Sequence, residues 1–246
     1  MSTIRCFVGE QTKLAPGSRC LISKQESHHL LRVLRVRPSD SVRLMNGHGE
    51  IADATVCGKI GDLVELQIGA VSIYKRSRLV LCQALLKNKA MDLVIRDASA
   101  LGVAKILPLV TERTEVKFDK KSATSKLLHW RAIAIESCKQ SGEAFVPEIL
   151  NPVAIESFLF LNTFTEISIV GSLYSTDEKR ITDYQTEICN AQTVNLIIGP
   201  EGDFSQREYE MMLTRGVKFI RLTQNILRSE TAALCLLSLT DQIALR

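Results

Sequence analysis

Two strand-length runs in the last quarter of the chain, the first of them apolar, each stop at a turn and resume as a helix. This βα rhythm constrains the fold more than any other feature. The first run, Val194-Asn195-Leu196-Ile197-Ile198, breaks at Gly199-Pro200-Glu201-Gly202. Ser205-Gln206-Arg207-Glu208 then has the S-x-x-E form of a capping box, which predicts a helix starting after Ser205. Val217 to Leu222 reads as the next strand, and Ile226-Leu227-Arg228 leads into a second helix. In an open parallel sheet, ligands sit just beyond the carboxyl ends of the strands. The candidate site is therefore the pair of turns that carry Glu201, Arg228 and Glu230.

Upstream the rhythm differs. Short strand patterns occur at Cys20–Ile22, Ser41–Met45, Ile51–Val56 and Leu63–Ile68, with turn signals at Asn46-Gly47 and at Gly58 to Gly61. Close spacing of short strands predicts a compact barrel over residues 1–72. Ser27 to Arg35 reads as a short helix ending near Pro38, with Leu30, Leu31 and Leu34 toward a core and His28, Arg32 and Arg35 on another stripe. After a basic stretch at Ser72–Arg78, strands at Leu79–Leu85, Lys105–Val110 and Ile167–Gly171 alternate with helices. One helix carries Met91, Val94, Ile95, Ala98 and Leu101 on one face and ends at Gly102. A longer one runs from about Ser122 to Lys139, with Leu127, Arg131, Ala134 and Cys138 on one side and Leu128 and Ile135 beside them. Strands alternating with helices indicate a parallel α/β sheet over 73–246.

Composition narrows the class. No apolar run approaches the roughly 18 residues of a membrane span, and the start of the chain lacks the apolar stretch of a secretory signal. The seven cysteines include no C-x-x-C pair, which fits free thiols in a reducing cytoplasm. The four histidines are not grouped for a metal, so none is expected. A net charge of +4 implies little by itself. Its distribution says more: Arg32, Arg35, Arg37 and Arg43 stand against Asp40 alone. Such a cluster is either a solvated face or a phosphate-binding one.

Each chemistry-bearing stretch has a plain structural reading beside the functional one. Gly199-Pro200-Glu201-Gly202 is either an ordinary tight βα turn or a loop whose backbone amides approach a ligand. It matches neither G-x-G-x-x-G nor the P-loop spacing. Ser229 or Glu230 can simply cap the last helix. Arg228, just before a helix start, is electrostatically unfavourable unless it faces something anionic. The run Ala232–Leu237 is apolar nearly all round, so that helix lies deep in a core or against a partner chain.

G-P-E-G-x-F-S followed by I-L-R-x-E-T-A resembles the SPOUT superfamily of methyltransferases, and more narrowly the RsmE family. The likeness extends over Lys87–Leu101, Leu107–Arg113, Trp130–Ala134 with Glu136, Gln140–Gly142 up to Val146-Pro147, and His28–Arg35. It implies a small PUA-like RNA-binding β-barrel (1–72) before a parallel-sheet α/β domain with a deep trefoil knot (73–246) that dimerises through its C-terminal helix. It also implies methylation of a uridine at base nitrogen 3 in small-subunit ribosomal RNA, in the cytoplasm, with S-adenosyl-L-methionine as donor. By that resemblance the donor is held by Leu196, Ile198, Gly199, Pro200, Glu201, Gly202, Leu222, Asn225, Ile226, Leu227, Thr231 and Ala232. Arg228, Glu201 and Glu230 are the catalytic candidates, and His28, Arg32, Arg35, Arg37 and Lys87 the RNA contacts. Three positions depart from the family pattern, with Asp203, Thr223 and Asn225 replacing Gly, Gly and Arg. A Thr adopts a positive-φ turn only at a cost, Asp203 adds a charge beside the donor loop, and the missing arginine removes a phosphate contact. An RNA-binding module of the same fold without catalysis is the competing reading. A nucleotide-phosphate enzyme is a third, disfavoured by the missing P-loop residues.

Overall fold

The computed structural model describes residues 3–87, 89–116, 120–161, 166–172, 174 and 179–244. The chain divides into two compact units: Met1–Arg76 with Ile135–Val146, and Ser77–Ala134 with Pro147–Arg246. Besides the break after Arg76, the first unit takes in a distant stretch that no local pattern marks.

In the first unit, β1 (Arg5–Phe7), β2 (Arg19–Leu21), β3 (Ser41–Met45), β4 (Glu50–Ile60) and β5 (Leu63–Ile73) form one sheet in the order β1-β3-β4-β5-β2. Only the β1–β3 pair is parallel. Alternation along β3, β4 and β5 puts Val42, Leu44, Ala52, Ala54, Val56, Val64, Leu66 and Ile68 into one core. The expected barrel takes the form of this sheet, bent where β4 shifts register between Ala52 and Ala54 and between Val56 and Gly58. Gly58 thus lies within β4, and the turn expected over Gly58–Gly61 is confined to Gly61 and Asp62.

Helix α1 (Lys24–His28) starts where Ser23 accepts a hydrogen bond from the Glu26 amide at 3.2 Å, three residues earlier than expected. It continues as a π-helical segment, His29–Leu34, that stops at Arg35 in the left-handed region (φ 55°). Hydrogen bonding from i to i+5 widens the turn, so residue i+4 no longer falls beneath i. Leu30 is accordingly buried, whereas Leu34, expected in the core, is 40% exposed. His28, Arg32, Arg35 and Arg37 all face solvent.

The distant stretch is fastened by named contacts. The Val146 amide donates to the Gly47 carbonyl and the Gly49 amide to the Ala144 carbonyl, both at 3.0 Å. Lys139 reaches the buried Glu26 carboxylate at 2.7 Å. Asn46 Oδ1 accepts from the His48 and Glu50 amides, so the predicted Asn-Gly turn forms as a four-residue loop.

The second unit contains β6 (Leu79–Ala84), α2 (Lys89–Ala100), β7 (Lys105–Val110), α3 (Lys120–Ser141, whose last turns belong to the first unit), β8 (Glu148–Ile149) and β9 (Val153–Ala154). Then come α4 (Ile155–Leu161), β10 (Glu166–Gly171), α5 (Gln185–Asn190), β11 (Thr193–Ile198), α6 (Gln206–Thr214), β12 (Lys218–Ile220) and α7 (Ser229–Ala244). Every strand pair is parallel, in the order β12-β10-β11-β6-β7-β8, with β9 also on β7. The central strands β6, β10 and β11 are mostly apolar and buried nearly end to end, with Gln83, Ser168 and Asn195 the polar residues in their interiors, because helices cover both faces. Val80, Cys82, Val170 and Ile197 meet Phe158 and Leu159 of α4 and Tyr209 and Met212 of α6 on one face. Helix α7 packs against β6, β11, α2 and α5.

Two helices differ from expectation. On α3, Leu128 is 62% exposed while Trp130 is buried. Helix α7 is not apolar all round in its surroundings: Ala233, Leu236, Leu237, Thr240 and Ile243 form one buried stripe, while Ser238 and Leu239 face outward.

Candidate methyl-donor site

A cavity of about 810 Å³ opens at the carboxyl ends of β6, β10, β11 and β12. Its walls are Lys87, Lys89, Ala90 and Leu93 after β6, Gly171 and Ser172 at the end of β10, Ile198 to Glu201 with Asp203 at and after the end of β11, and Leu222, Thr223, Asn225 to Glu230 and Ala232 after β12. Parallel pairing is what brings these turns together. Ile198 pairs with Gln83, and Gly171 with Ile220, so all four strands end on one edge.

The turn after β11 is held from several sides. Ser205 and Glu208 form the predicted capping box: the Ser205 side chain accepts from the Glu208 amide at 3.2 Å, and the Glu208 carboxylate accepts from the Ser205 amide at 2.8 Å. The other Glu208 oxygen accepts from the Glu112 amide at 2.9 Å, so a fully buried carboxylate is satisfied by two backbone donors. Arg113 donates to the Gly202 carbonyl at 2.9 Å. Glu201 is exposed, and its Oε1 accepts from the Lys87 amide at 3.0 Å, which ties the turn after β11 to the one after β6.

The turn after β12 has its own fastenings. Arg221 donates to the carbonyls of Thr223 and Gln224 at 3.1 and 3.2 Å, and the Thr223 hydroxyl donates to the Asn225 carbonyl at 2.8 Å. Thr223 is not in the positive-φ region. Among the three departures from the family pattern it is Asp203 that is, at φ 61°. A Cβ at Gly171 would sit 2.9 Å from Leu222 Cδ1 and 3.2 Å from Ile198 Cδ1, so a larger residue there would displace the Leu222 side chain from the cavity wall.

A buried relay joins the start of α7 to both neighbouring strands. Gln83 Nε2 donates to Ser229 Oγ at 2.9 Å, and Ser229 Oγ donates to the Gly199 carbonyl. Arg228 immediately precedes this anchor, and its carbonyl accepts the first helical bond from the Ala232 amide at 2.8 Å. Its side chain is exposed on the cavity wall and makes no ion pair among the described residues. A cation without an ion-pair partner among the described residues, at the positive end of a sixteen-residue helix, is placed to meet an anionic or strongly polarised ligand.

Of the residues expected around the donor, Ile198, Gly199, Pro200, Glu201, Leu222, Asn225, Ile226, Leu227 and Ala232 line the cavity. Leu196, Gly202 and Thr231 do not: Leu196 is buried within β11, Gly202 lies against Arg113, and Thr231 points to solvent. Arg228, Glu201, Glu230 and Lys87 are on the wall. His28, Arg32, Arg35 and Arg37 lie on the first unit. Reading by loops missed Lys89, Ala90 and Leu93 in the first turns of α2, and Gly171 and Ser172 at the end of β10. The available signal was the strand end at Gly171, which counts only once β10 is known to lie beside β11.

Residues 74–241 match the family model described as the RNA methyltransferase domain, and residues 22–68 match the RNA methyltransferase PUA domain. The chain belongs to the RNA methyltransferase family. Within that family it is 30% identical over 227 residues to the ribosomal RNA small subunit methyltransferase E of Rickettsia conorii, covering 91% of this chain and 89% of that one. A Legionella pneumophila protein described as a methyltransferase, solved with bound S-adenosylmethionine, is 31% identical with a TM-score of 0.85, covering 98% of each chain. The small subunit methyltransferase E of Neisseria gonorrhoeae shares the fold at a TM-score of 0.86 and 24% identity, again over 98% of each chain. No described helix of this RNA methyltransferase family member is long and apolar enough to cross a membrane.

Proposed function

We propose that the chain transfers a methyl group from S-adenosylmethionine to base nitrogen 3 of a uridine in small-subunit ribosomal RNA. The observation that carries this is one cavity, lined mostly by backbone turns and apolar side chains, with an exposed arginine and three acidic residues, Glu201, Asp203 and Glu230, at its wall. Its volume lies within the range of roughly 300–1,000 Å³ found for small-molecule sites. The donor set fits a nucleoside with a charged sulfonium. Main-chain groups of Gly199–Glu201 and Leu222–Leu227 offer hydrogen bonds, Ile198, Leu222 and Leu227 offer an apolar bed, and Glu201 and Glu230 offer negative charge. When bound there, S-adenosylmethionine supplies an electrophilic methyl group.

The chain's own residues then have three tasks. The turns hold the acceptor ring in line with the donor, since alignment supplies much of the rate of a displacement at carbon. Arg228 stabilises the negative charge that develops on the uracil carbonyls as the N3 proton leaves. Glu230 or Glu201 takes that proton or orients the ring. Glu201 already spends one oxygen on the Lys87 amide, which favours Glu230 as acceptor and Glu201 as an anchor of the turn. A base-paired uridine hides N3, so the target is unpaired or flipped out. His28, Arg32, Arg35 and Arg37 on the PUA-like unit, and Lys87 at the cavity rim, contact RNA phosphates.

Three further features belong to the same reading. The domain with the donor site, expected over residues 73–246, comprises 77–134 with 147–246 and is knotted, a reading supported by α7, which follows edge strand β12 yet packs against the interior strands β6 and β11. Leu239, exposed on α7, belongs to a homodimer face, which sedimentation at micromolar concentration tests. The protein acts where ribosomal RNA is made, in the cytoplasm.

Arg228→Ala is expected to lower kcat on small-subunit RNA by about a hundredfold or more while S-adenosylmethionine still binds in calorimetry. Near-full turnover by that variant removes Arg228 from the chemistry. A crystal structure with the donor tests the knot and the cavity together.

A further inference from the structure

Asp203 is the one cavity residue outside glycine that holds a left-handed backbone, at φ 61°. Its carboxylate does not point free into solvent. Oδ1 accepts from the Phe204 amide at 2.8 Å and from the Tyr209 hydroxyl at 2.6 Å. The same phenol oxygen accepts from the Ser172 hydroxyl at 2.9 Å, and Ser172 Oγ accepts from the Tyr174 amide at 2.9 Å. Tyr209 is buried, stacked on Tyr174 with ring centroids 4.4 Å apart and edge-on to Phe204 at 5.6 Å. Asp203 and Ser172 are walls of the cavity, but Tyr209 is not. One phenol therefore ties the turn after β11 to the end of β10 from behind. Burial, and after it the bond to Asp203, pushes the phenol above its ordinary range, so it stays protonated and donating.

We propose that Tyr209 is a positioning residue for the methyl donor, fixing the cavity wall by holding Asp203 in its left-handed turn and bracing it against Ser172. This rests on the cavity being the donor site. A left-handed aspartate is a minor conformer unless something holds it. A ligand that needs that conformer binds more weakly in proportion to the fraction of molecules that lack it. Glycine enters the left-handed region without strain. A chain with glycine at this position needs no tether, whereas a chain with Asp203 does.

The test is a two-by-two set read by calorimetry with S-adenosylmethionine on the full chain. Tyr209→Phe is expected to raise the donor Kd by about tenfold, the loss of a hydrogen bond to a charged acceptor. In an Asp203→Gly background the same substitution is expected to cost about threefold or less, because the strain it relieves is gone. With donor saturating, kcat of Tyr209→Phe on small-subunit RNA stays within about twofold of the native value, as the effect lies in donor affinity. An equal loss in both backgrounds, no loss in the native one, or a fall in saturated kcat instead of affinity overturns the proposal. Should Tyr209→Phe fail to fold, Asp203→Ala against Asp203→Gly decides. Both lack the carboxylate, and only glycine is at ease at φ 61°, so weaker donor binding by the alanine variant is expected and equal binding overturns the proposal. Native protein that binds no donor overturns the reading of the cavity itself, a result distinct from all of these.

Discussion

Ser229→Ala probes the joint on which both cavity turns depend. The hydroxyl is buried, accepts from Gln83 Nε2 at 2.9 Å and donates to the Gly199 carbonyl. Its removal breaks two hydrogen bonds at a net cost of about 1 kcal/mol each, and strands a buried carbonyl as well, so the total is about 2–3 kcal/mol. Gln83 offers no remedy: its Nε2 keeps only the Ala84 carbonyl, and its buried Oε1 already lacks a partner among the described residues. At about 2–4 °C per kcal/mol for a chain of this size, the melting temperature should fall by roughly 5–10 °C. Donor binding should weaken too, because Gly199 and the start of α7 both line the cavity. Scanning calorimetry with and without S-adenosylmethionine measures both effects. A melting temperature within about 1 °C of native, with unchanged donor affinity, would show that the relay holds nothing together, against the energies assigned to buried hydrogen bonds.

Two other outcomes follow from the first unit. Burial pushes the thiols of Cys6 and Cys138 up to about 12 from 9.0. The folded chain thus keeps protons that the unfolded chain releases, and this stabilisation is whole below pH 9.0 and lost as pH rises toward about 12. Urea midpoints should decline across that window, and Cys138→Ala should flatten the decline; an unchanged slope contradicts the assignment. Arg32→Ala and Arg35→Ala should each weaken RNA binding similarly for any sequence and reduce the slope of log affinity against log salt by about 0.7–0.9, as lost phosphate contacts do. A slope equal to native in filter binding removes these side chains from the RNA path.

What could be read from the chain is what depends on neighbours a few residues away. The capping box at Ser205 and Glu208, the apolar runs of β6, β10 and β11, and the helix end at Gly102 all follow from local periodicity and capping chemistry. So does the placing of Glu201 and Arg228 on turns after strands. The π-helical segment escaped such reading, because its first turn has an ordinary helical pattern and the wider winding shifts Leu34 outward.

Tertiary structure alone decided which turns face one another. Strand β10 lies between β11 and β12, and β6 pairs with β11 more than a hundred residues away. The Gln83–Ser229 and Lys87–Glu201 contacts bridge separations of 146 and 114 residues. No periodicity encodes such pairs, because strand order in a parallel sheet is set by how helices cover its two faces and not by any one segment's preference. Asp203 shows the division most plainly. Its identity was legible as a departure from a glycine, but its tolerance at φ 61° depends on a phenol six residues on that folding turns back toward it.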